Sequence, residues 1–511
     1  MSAIPASFLP YWEKVSSSSL GYRFARGAFW SLLGSVTARG LNFLAGVAVA
    51  RILGRHDFGQ FGMIQSTIGM FGVLAGFGMG LTATKHVAEY RFADPAKAGR
   101  IIGLSNAIAW ISGGIMTALL LVWAPWLAVH TLASPAMAEL LRAGALLLIL
   151  GGVNGAQTGA LSGFEAFKTI ARINLWMGLA SFPITLAFAW SMGVLGAVWA
   201  SVVCLALNCL WNGIALREVA RRGNIPISYG NMRQEWSVFW HFSLPAVCTG
   251  LIYTPSTWFA NMILVHQPSG YEHLGVLNAV YRIRQLPETI LSMVLAPLLP
   301  ALAEHFGRKD IKSYNRTLSL GFIISALIII PVALLQTAWP TLSLLPFGRE
   351  YLGHESLVRV VMLQSVLTGL SYPFGSVLAS TNRMWFGFIY NLGYSLLLIA
   401  LSWWLVPTHK AVGLALATTM TNCVSTIICL VYIRIREKGF IVGTPIIHYG
   451  ILVLFFYGLC FAASLSGNQF LGIACGVFTG SAFCVLLIVQ FVRRHARSNA
   501  EPVGHGPGLS G

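Results

Sequence analysis

The dominant pattern along the chain is a series of long apolar blocks separated by short polar stretches. A helix that crosses a bilayer needs about 20 mostly apolar residues, and about fourteen blocks reach that length. The predicted spans lie near 28–50, 60–82, 101–124, 140–160, 170–191, 194–216, 238–264, 274–299, 317–338, 357–379, 385–406, 411–432, 446–465 and 469–491. Strands of outer-membrane barrels alternate apolar and polar residues, so unbroken apolar blocks exclude that class. The pattern therefore predicts an all-α polytopic membrane protein.

A weak internal repeat relates the first six predicted helices to the next six. At an offset of 213 or 217 residues the matched pairs are Phe58 with Tyr271, Gly62 with Gly275, Gln65 with Asn278, Leu161 with Leu378 and Asn174 with Asn391. Chance similarity between apolar segments is the alternative explanation. A duplicated unit of six helices keeps its orientation, so the two bundles are predicted to be related by a pseudo-two-fold axis along the membrane normal. Such transporters bind substrate at the interface between the bundles and rock to give alternating access.

The repeat and the polar stretches predict the domain boundaries. The predicted segments are a cytoplasmic N-terminal segment at 1–27, an N-lobe at 28–216, a cytoplasmic linker at 217–236, a C-lobe at 237–434, two additional helices at 435–492 and a disordered cytoplasmic tail at 493–511. The linker is polar and basic, which is typical of an inner connection between two lobes.

The composition agrees with a membrane protein and explains most of the charge. Of the 511 residues, 56% are hydrophobic and 10% charged, whereas soluble proteins carry about 25% charged residues. The formal net charge is +17. With the N-terminus placed inside, 24 Lys and Arg fall on the inner side, six on the outer side and three within spans. This asymmetry places both termini in the cytoplasm, and no nucleic-acid partner is needed to explain the charge.

The three arginines within spans are Arg39, Arg282 and Arg284. Charge at membrane depth is costly and marks a substrate pathway by default. Each guanidinium could instead cap backbone carbonyls or pair locally, as Arg284 could with Glu288 four residues later. Because successive helical residues are 100° apart, Arg282 and Arg284 point about 200° apart, so only one of them is expected to face a cavity.

Acidic residues are almost absent from the spans. Only Glu288 is predicted to lie deep in one, whereas a cation exporter needs a buried carboxylate. A cavity with arginines and few acids suits an anion, especially a phosphate, which arginine binds with two hydrogen bonds. Pro287 frees a backbone carbonyl and is predicted either to break its helix near a binding site or simply to kink it.

Motifs of catalysis and cofactor binding are missing from the sequence. It contains no GxxxxGK[ST], HExxH or GxSxG, and its eight cysteines all fall inside predicted spans without a CxxC pair. We therefore predict no catalytic residue, no metal site and no cofactor.

The N-terminal helices carry a specific resemblance. The segment Gly27–Arg91 contains ARILGxxxFGQFG (Ala50–Gly62) and GFGxGLTATKxVAEYR (Gly76–Arg91). It resembles the polysaccharide transporter family, the Wzx-type oligosaccharide flippases of the MOP superfamily. Tyr281–Pro300 is similar to the eighth helix of that family, and the resemblance covers about helices 1 to 12.

The resemblance implies a function in the bacterial inner membrane. Such flippases move undecaprenyl-diphosphate-linked oligosaccharides from the inner to the outer leaflet, for O-antigen (lipopolysaccharide), capsule or exopolysaccharide synthesis. It implies that Arg39, Arg282 and Arg284 hold the diphosphate and that Glu288 is a candidate for ion coupling. Helices 13 and 14 would form a portal for the lipid tail. The expected partners are the lipid-linked substrate, membrane lipids, a polysaccharide polymerase and a chain-length regulator.

Two other functions are compatible with parts of the pattern. A multidrug or other cation-coupled exporter of the same superfamily would need buried acids in the first lobe, and the sequence shows none there. A membrane polysaccharide polymerase or ligase would need a large outer loop with catalytic residues. The longest predicted outer connection, Trp339–Ser356, has about 18 residues, which is near the upper end of ordinary loop lengths.

Overall fold

The computed structural model describes residues 19–230, 232–236, 244–380, 384–436, 455–462, 474–476 and 478–483. Within these ranges the chain is helical and contains no strand, as predicted. Some predicted segments lie largely or wholly outside the described residues: segment 1–27, helices 13 and 14, and the tail 493–511. What the sequence predicts for them stays a prediction. The described helices are α1 (Ser19–Gly76), α2 (Met79–Tyr90), α3 (Pro95–His130), α4 (Met137–Gly163), α5 (Phe167–Arg222), α6 (Leu244–Val265), α7 (Gly270–Val294), α8 (Leu298–Gly307), α9 (Ile311–Ala338), α10 (Pro340–Leu344), α11 (Glu355–Ser380) and α12 (Met384–Arg436).

Three of these helices are each long enough for two membrane crossings. At 1.5 Å per residue, the 56 residues of α5 would extend about 84 Å, far beyond a hydrocarbon core of about 30 Å. Each long helix is interrupted by one residue with positive φ: Gly54 in α1, Gly193 in α5 and Lys410 in α12. The breaks at Gly193 and Lys410 fall between predicted spans. Each of these elements is therefore a pair of consecutive helices.

Hydropathy supports a membrane location for the described helices. Seven of them are long and apolar enough to cross a bilayer, or eight if the bent pair Thr37–Gly76 and Met79–Tyr90 counts as one span. Large apolar side chains such as Trp190, Trp403 and Trp404 are more than two-thirds exposed. Apolar surface of this kind is stable against lipid but would be costly in water.

Two interruptions differ from the sequence prediction. The second helix was expected to run continuously to residue 82, but it ends at Gly76, and Phe77 and Gly78 adopt positive φ before α2 begins. The eighth helix ends at Val294 rather than 299, and the separate α8 follows. In both places the local backbone geometry ends a helix within an apolar run, which hydropathy alone does not register.

Polar caps fix the start of two helices near their predicted inner ends. Asp94 accepts a hydrogen bond from the Lys97 backbone N–H at 2.9 Å, and Asp310 accepts one from the Ser313 N–H at 3.0 Å. Each carboxylate satisfies an otherwise unpaired donor of the first turn. Hydrogen bonds from Ser313 also hold the pKa of Asp310 below its usual value.

Contacts divide the chain into two units, which we describe separately. Unit 1 comprises Met1–Ala279 and Asn391–Leu414, and unit 2 comprises Val280–Tyr390 and Ala415–Gly511. A core of unit 1 joins α2, α3, α4 and α5 through residues such as Val87, Ile102 and Leu161. A core of unit 2 joins α7, α8, α9 and α11 through residues such as Leu302, Tyr314 and Phe374. The predicted lobe boundaries stay a prediction.

Within unit 1 the second half of α1 crosses α7 at very short range. A Cβ atom added to Gly59 would lie 1.8 Å from the Tyr271 carbonyl oxygen, and one added to Gly275 would lie 1.8 Å from that of Arg55. A Cβ on Gly62 would lie 1.8 Å from Asn278 Nδ2. Only glycine allows helices to approach so closely. This glycine crossing includes Gly62 and Gly275, which the predicted repeat aligns with each other.

The described part of the predicted linker lies against α3. Cβ atoms on Gly99 and Gly103 would lie 1.9 and 2.0 Å from the carbonyl oxygens of Pro226 and Ser228. Between these two glycines, Arg100 donates to Glu235 Oε1 from Nε at 3.0 Å and from Nη2 at 2.8 Å. The Glu235 carboxylate is buried and the pair is fixed by two hydrogen bonds, which holds the linker on the helix.

Candidate functional site: two polar cavities

Arg39 lies in a cavity of unit 1 between α1 and the two halves of α5. It precedes the Gly54 break by 15 residues, which corresponds to about 22 Å of helix and places it well inside a span. We call this space cavity A; its volume is about 460 Å³. Its lining residues are Ala38, Arg39, Asn42, Asn174, Met177, Gly178, Ser181, Ser201, Cys204, Leu205 and Asn208.

The backbone contact that forms one wall of cavity A depends on a small residue. A Cβ added to Gly178 would lie 2.8 Å from the Ala38 Cα, so α5 can lie directly on α1 only because position 178 is glycine. The neighbouring residue on α1 is Arg39, and its exposed side chain extends from this wall. The tight helix pair therefore positions a cation beside a polar opening.

A network of amides orients the far side of cavity A. Asn212 Nδ2 donates to Asn208 Oδ1 at 2.6 Å and to Asn154 Oδ1 at 2.8 Å, and lies 3.4 Å from Thr158 Oγ1. Asn208 also lines cavity A, and since its oxygen accepts from Asn212, its NH₂ group is the end that can donate to a ligand.

Other polar side chains of cavity A are also hydrogen-bonded within the protein. Asn42 Oδ1 accepts from the Ser181 hydroxyl at 3.3 Å, and the same hydroxyl lies 3.1 Å from the Gly178 carbonyl oxygen. Ser201 donates to the Ala197 carbonyl at 3.0 Å. The lining contains one guanidinium and no carboxylate. A site with these groups attracts anions, because the guanidinium supplies both the charge and several N–H donors.

The other predicted site residues lie in unit 2, on α7. Arg284 Nε donates to Glu288 Oε1 at 2.6 Å, and its guanidinium lies 5.5 Å from the Tyr281 ring centre. This is the local pairing that the sequence allowed as an alternative. It occupies Arg284 and Glu288 with each other, whereas the half-buried Arg282 points to a different face. Helix α7 continues through Pro287, so the structure shows no helix break there, and a hinge at this position stays a prediction.

Unit 2 contains a second cavity, with a mainly apolar wall, that sequence reasoning missed. We call it cavity B; it lies between α11 and α12 and its volume is about 470 Å³. Its lining residues are Thr368, Ser371, Tyr372, Phe374, Gly375, Ser376, Leu378, Tyr390, Thr426 and Cys429. These residues include hydroxyl-bearing and aromatic side chains and no charged one.

Neutral polar residues are the features that sequence reasoning overlooked in both cavities. Asn208 and Asn212 are one helical turn apart within an apolar span, and this spacing was available as a signal.

Among the described residues, no group of three or more His, Cys, Asp or Glu side chains is arranged to hold a metal ion.

Comparison with known proteins decides the family. A family model described as "Polysaccharide biosynthesis protein" matches residues 24–306, more than half of the chain. The chain belongs to this polysaccharide biosynthesis family. The resemblance stated from the N-terminal motifs is thereby confirmed.

Two curated relatives of this family member match most of its length. The lipid III flippase of Escherichia coli (strain K12) is 25% identical over 433 residues, covering 81% of this chain and 99% of that protein. The EPS I polysaccharide export inner membrane protein EpsE of Ralstonia nicotianae is 22% identical over 416 residues, covering 78% and 91%.

Solved structures show the fold of this family member. An inward-facing multidrug resistance MATE family transporter of the MOP superfamily superposes with a TM-score of 0.69 at 16% identity, covering 80% of this chain and 98% of the other. The lipid II flippase MurJ in an inward closed conformation gives a TM-score of 0.68 at 13% identity, covering 91% and 99%. The fold is therefore the all-helical fold of these transporters, and the protein is a multi-pass membrane protein.

Proposed function

We propose that the protein is a flippase for undecaprenyl-diphosphate-linked oligosaccharides and that cavity A binds the diphosphate. The observation that carries this proposal is that the lining of cavity A combines Arg39 with Asn208, whose oxygen accepts from Asn212, and contains no carboxylate. A diphosphate offers several charged oxygens, which match a guanidinium and an amide donor. The relatives that act as a lipid III flippase and in polysaccharide export support this substrate class.

The proposed transport cycle begins at cavity A. Cavity A, open to the inner side, captures the diphosphate while the polyprenyl tail stays in the bilayer. Movement of the two predicted lobes then presents the head group to the outer side. Arg282 is the second cation that we propose for the diphosphate path. Arg284 can take part only when its bond to Glu288 opens, and the same event would free Glu288 for ion coupling.

The proposed location is the bacterial inner membrane with both termini in the cytoplasm. The 24-to-6 distribution of Lys and Arg supports this orientation. The product would serve O-antigen, capsule or exopolysaccharide synthesis, with a polymerase and a chain-length regulator as downstream partners. The alternative of a cation-coupled drug exporter is not favoured, because the lining of cavity A contains no acid to bind a cation.

The experiment replaces Arg39 and measures both binding and export. Purified full-length protein is titrated with inorganic pyrophosphate, and cells lacking their own flippase are tested for surface polysaccharide. We expect Arg39→Gln to weaken pyrophosphate binding by about tenfold or more, because a charge-assisted bond is lost. Arg39→Lys keeps the charge but not the paired donors of the guanidinium. Its affinity for pyrophosphate should therefore lie between those of the native protein and Arg39→Gln.

The matched control is Arg142→Gln, which removes an exposed arginine near the start of α4, outside both cavities. Binding and export should be unchanged in this variant. If Arg39→Gln reaches the membrane at the native level and exports as well as the native protein, cavity A does not hold the diphosphate.

A further inference from the structure

Cavity B differs from cavity A in the direction of its hydrogen bonds. Ser371 donates to the Leu367 carbonyl at 2.7 Å, Thr426 to the Asn422 carbonyl at 2.7 Å and Thr368 to the Gln364 carbonyl at 3.0 Å. The Ser371 and Thr426 oxygens also lie 2.6 Å apart, so one of these two hydroxyls donates to the other. Every hydroxyl hydrogen of the three thus has an acceptor within the protein.

The consequence for a ligand follows from the chemistry of a hydroxyl. Each hydroxyl has a single hydrogen and two lone pairs. When each hydrogen is engaged within the protein, by a backbone carbonyl or, for one of Ser371 and Thr426, by the other hydroxyl, these three oxygens are left to accept. The oxygens of Ser371, Thr426 and Thr368 can therefore accept hydrogen bonds from a ligand, and the lining, which also includes the hydroxyls of Ser376, Tyr372 and Tyr390, offers neither a positive charge to an anion nor a carboxylate to a cation.

Aromatic side chains form the rest of the wall. Tyr372 of α11 is 37% exposed and lines the cavity, and Tyr390 lines it from α12. Phe374 is buried behind them, 5.2 Å from Phe322 between ring centres in an edge-to-face contact that fixes its position. A flat apolar surface beside hydroxyl acceptors suits a ring that is polar at its rim and apolar on its face.

We propose that cavity B is a binding site for a neutral saccharide, whose hydroxyl groups donate to the oxygens of Ser371, Thr426 and Thr368 and whose ring lies against Tyr372. Its volume of about 470 Å³ falls within the range of small-molecule sites. The proposal rests on the proposed function and extends it, since it assigns the sugar part of the substrate to residues of unit 2 that are not part of the lining of cavity A.

Gly375 gives a way to close cavity B without disturbing its walls. It lies within α11, and a Cβ added there meets nothing within 4 Å. A phenylalanine at this position would extend into the open space of the cavity, and helix propensity does not oppose the change. The matched control is Gly458→Phe, in the helical segment 455–462 of the same unit. Gly458 is also exposed, with nothing within 4 Å, and it lies outside the cavity.

The experiment uses full-length protein in lipid nanodiscs and the uncharged disaccharides N,N′-diacetylchitobiose and maltose as probes. Saturation-transfer NMR reports their binding. We expect at least one disaccharide to bind the native protein and Gly458→Phe, and to lose about tenfold or more in Gly375→Phe. The pair Ser371→Ala/Thr426→Val removes both acceptors and keeps the shape, so it should fold normally and weaken binding by about tenfold.

Two results would overturn the proposal. One is that neither disaccharide binds the native protein; the other is that Gly375→Phe and the double variant bind as well as Gly458→Phe. The Arg39→Gln variant separates this proposal from the previous one. It should keep saccharide binding and lose pyrophosphate binding, whereas Gly375→Phe should do the reverse. The two measurements therefore test the diphosphate site and the saccharide site independently.

Discussion

Cavities A and B have almost the same volume, about 460 and 470 Å³, but opposite chemistry. The offset of 217 residues aligns Asn154 with Ser371 and Asn212 with Cys429. In unit 1 these positions form the amide network behind cavity A, and in unit 2 they line cavity B. An amide has both donors and an acceptor, whereas a hydroxyl whose hydrogen is bonded to its own helix is left to accept. The aligned positions thus differ in hydrogen bonding, and Arg39 adds a charge to cavity A for which the lining of cavity B has no counterpart.

The largest expected effect on the difference between the cavities comes from replacing a hydrogen-bond donor of cavity A with an acceptor. Asn208→Asp keeps the size and the acceptor for Asn212 but replaces the NH₂ with a charged oxygen. We expect pyrophosphate binding to weaken by about 2–3 kcal/mol, because the new carboxylate repels the anion and competes for Arg39. Calorimetric titration of the full-length protein with pyrophosphate measures this loss of binding free energy. Asn208→Leu removes only the donor and should lose less; equal binding by both variants would show that the amide does not face the ligand.

Adding a cation to cavity B should change its ligand. Gly375→Arg extends a guanidinium into an uncharged space, so we expect the stoichiometry of pyrophosphate binding to rise from about one to about two per chain. Titration with a stoichiometric readout tests this. Gly375→Gln is the matched neutral variant and should stay at the native stoichiometry. An unchanged value in Gly375→Arg would mean that the cavity does not admit an anion even when charged.

The amide network should contribute more to stability than the aligned position in unit 2. Asn212→Leu leaves the oxygens of Asn154 and Asn208 without their donor, which should cost about 1–3 kcal/mol and lower the thermal midpoint in detergent. Cys429 is buried and makes no hydrogen bond with the described residues, so Cys429→Val should change the free energy of unfolding by less than about 1 kcal/mol. A smaller loss in Asn212→Leu than in Cys429→Val would contradict the role of the network.

Salt should have the smallest effect and should act on one cavity only. Raising ionic strength shortens the range of the Arg39 field, so pyrophosphate affinity should fall a few-fold at high salt. Disaccharide binding to the uncharged cavity B should stay constant under the same conditions. Parallel titrations at two chloride concentrations give both values, and equal salt dependence would argue against separate sites.

Much of the fold could be predicted because lipid solvation leaves a strong signal in hydropathy. The breaks at Gly193 and Lys410 fall where the apolar blocks were separated, and Arg39 stood out because charge within a span is rare. The interruption at Phe77 and Gly78 could not be predicted, since it depends on local backbone geometry inside an apolar run. The Asn208–Asn212 bond and the acceptor hydroxyls of cavity B were missed because neutral polar residues in a helix reveal their direction only when their partners are known.

The glycine crossing of α1 and α7 has a consequence for how the sequence can evolve. Gly62 and Gly275 are equivalent in the predicted duplication, and both lie in the same contact. In a single-repeat ancestor, that surface would have met a second copy of itself, as in a symmetric homodimer. After fusion, a bulky substitution in one copy has no room unless the opposite copy retreats. We therefore expect each glycine to change among relatives only together with the residue that it meets, Asn278 for Gly62 and Gly59 for Gly275, while the linings of the two cavities diverge freely.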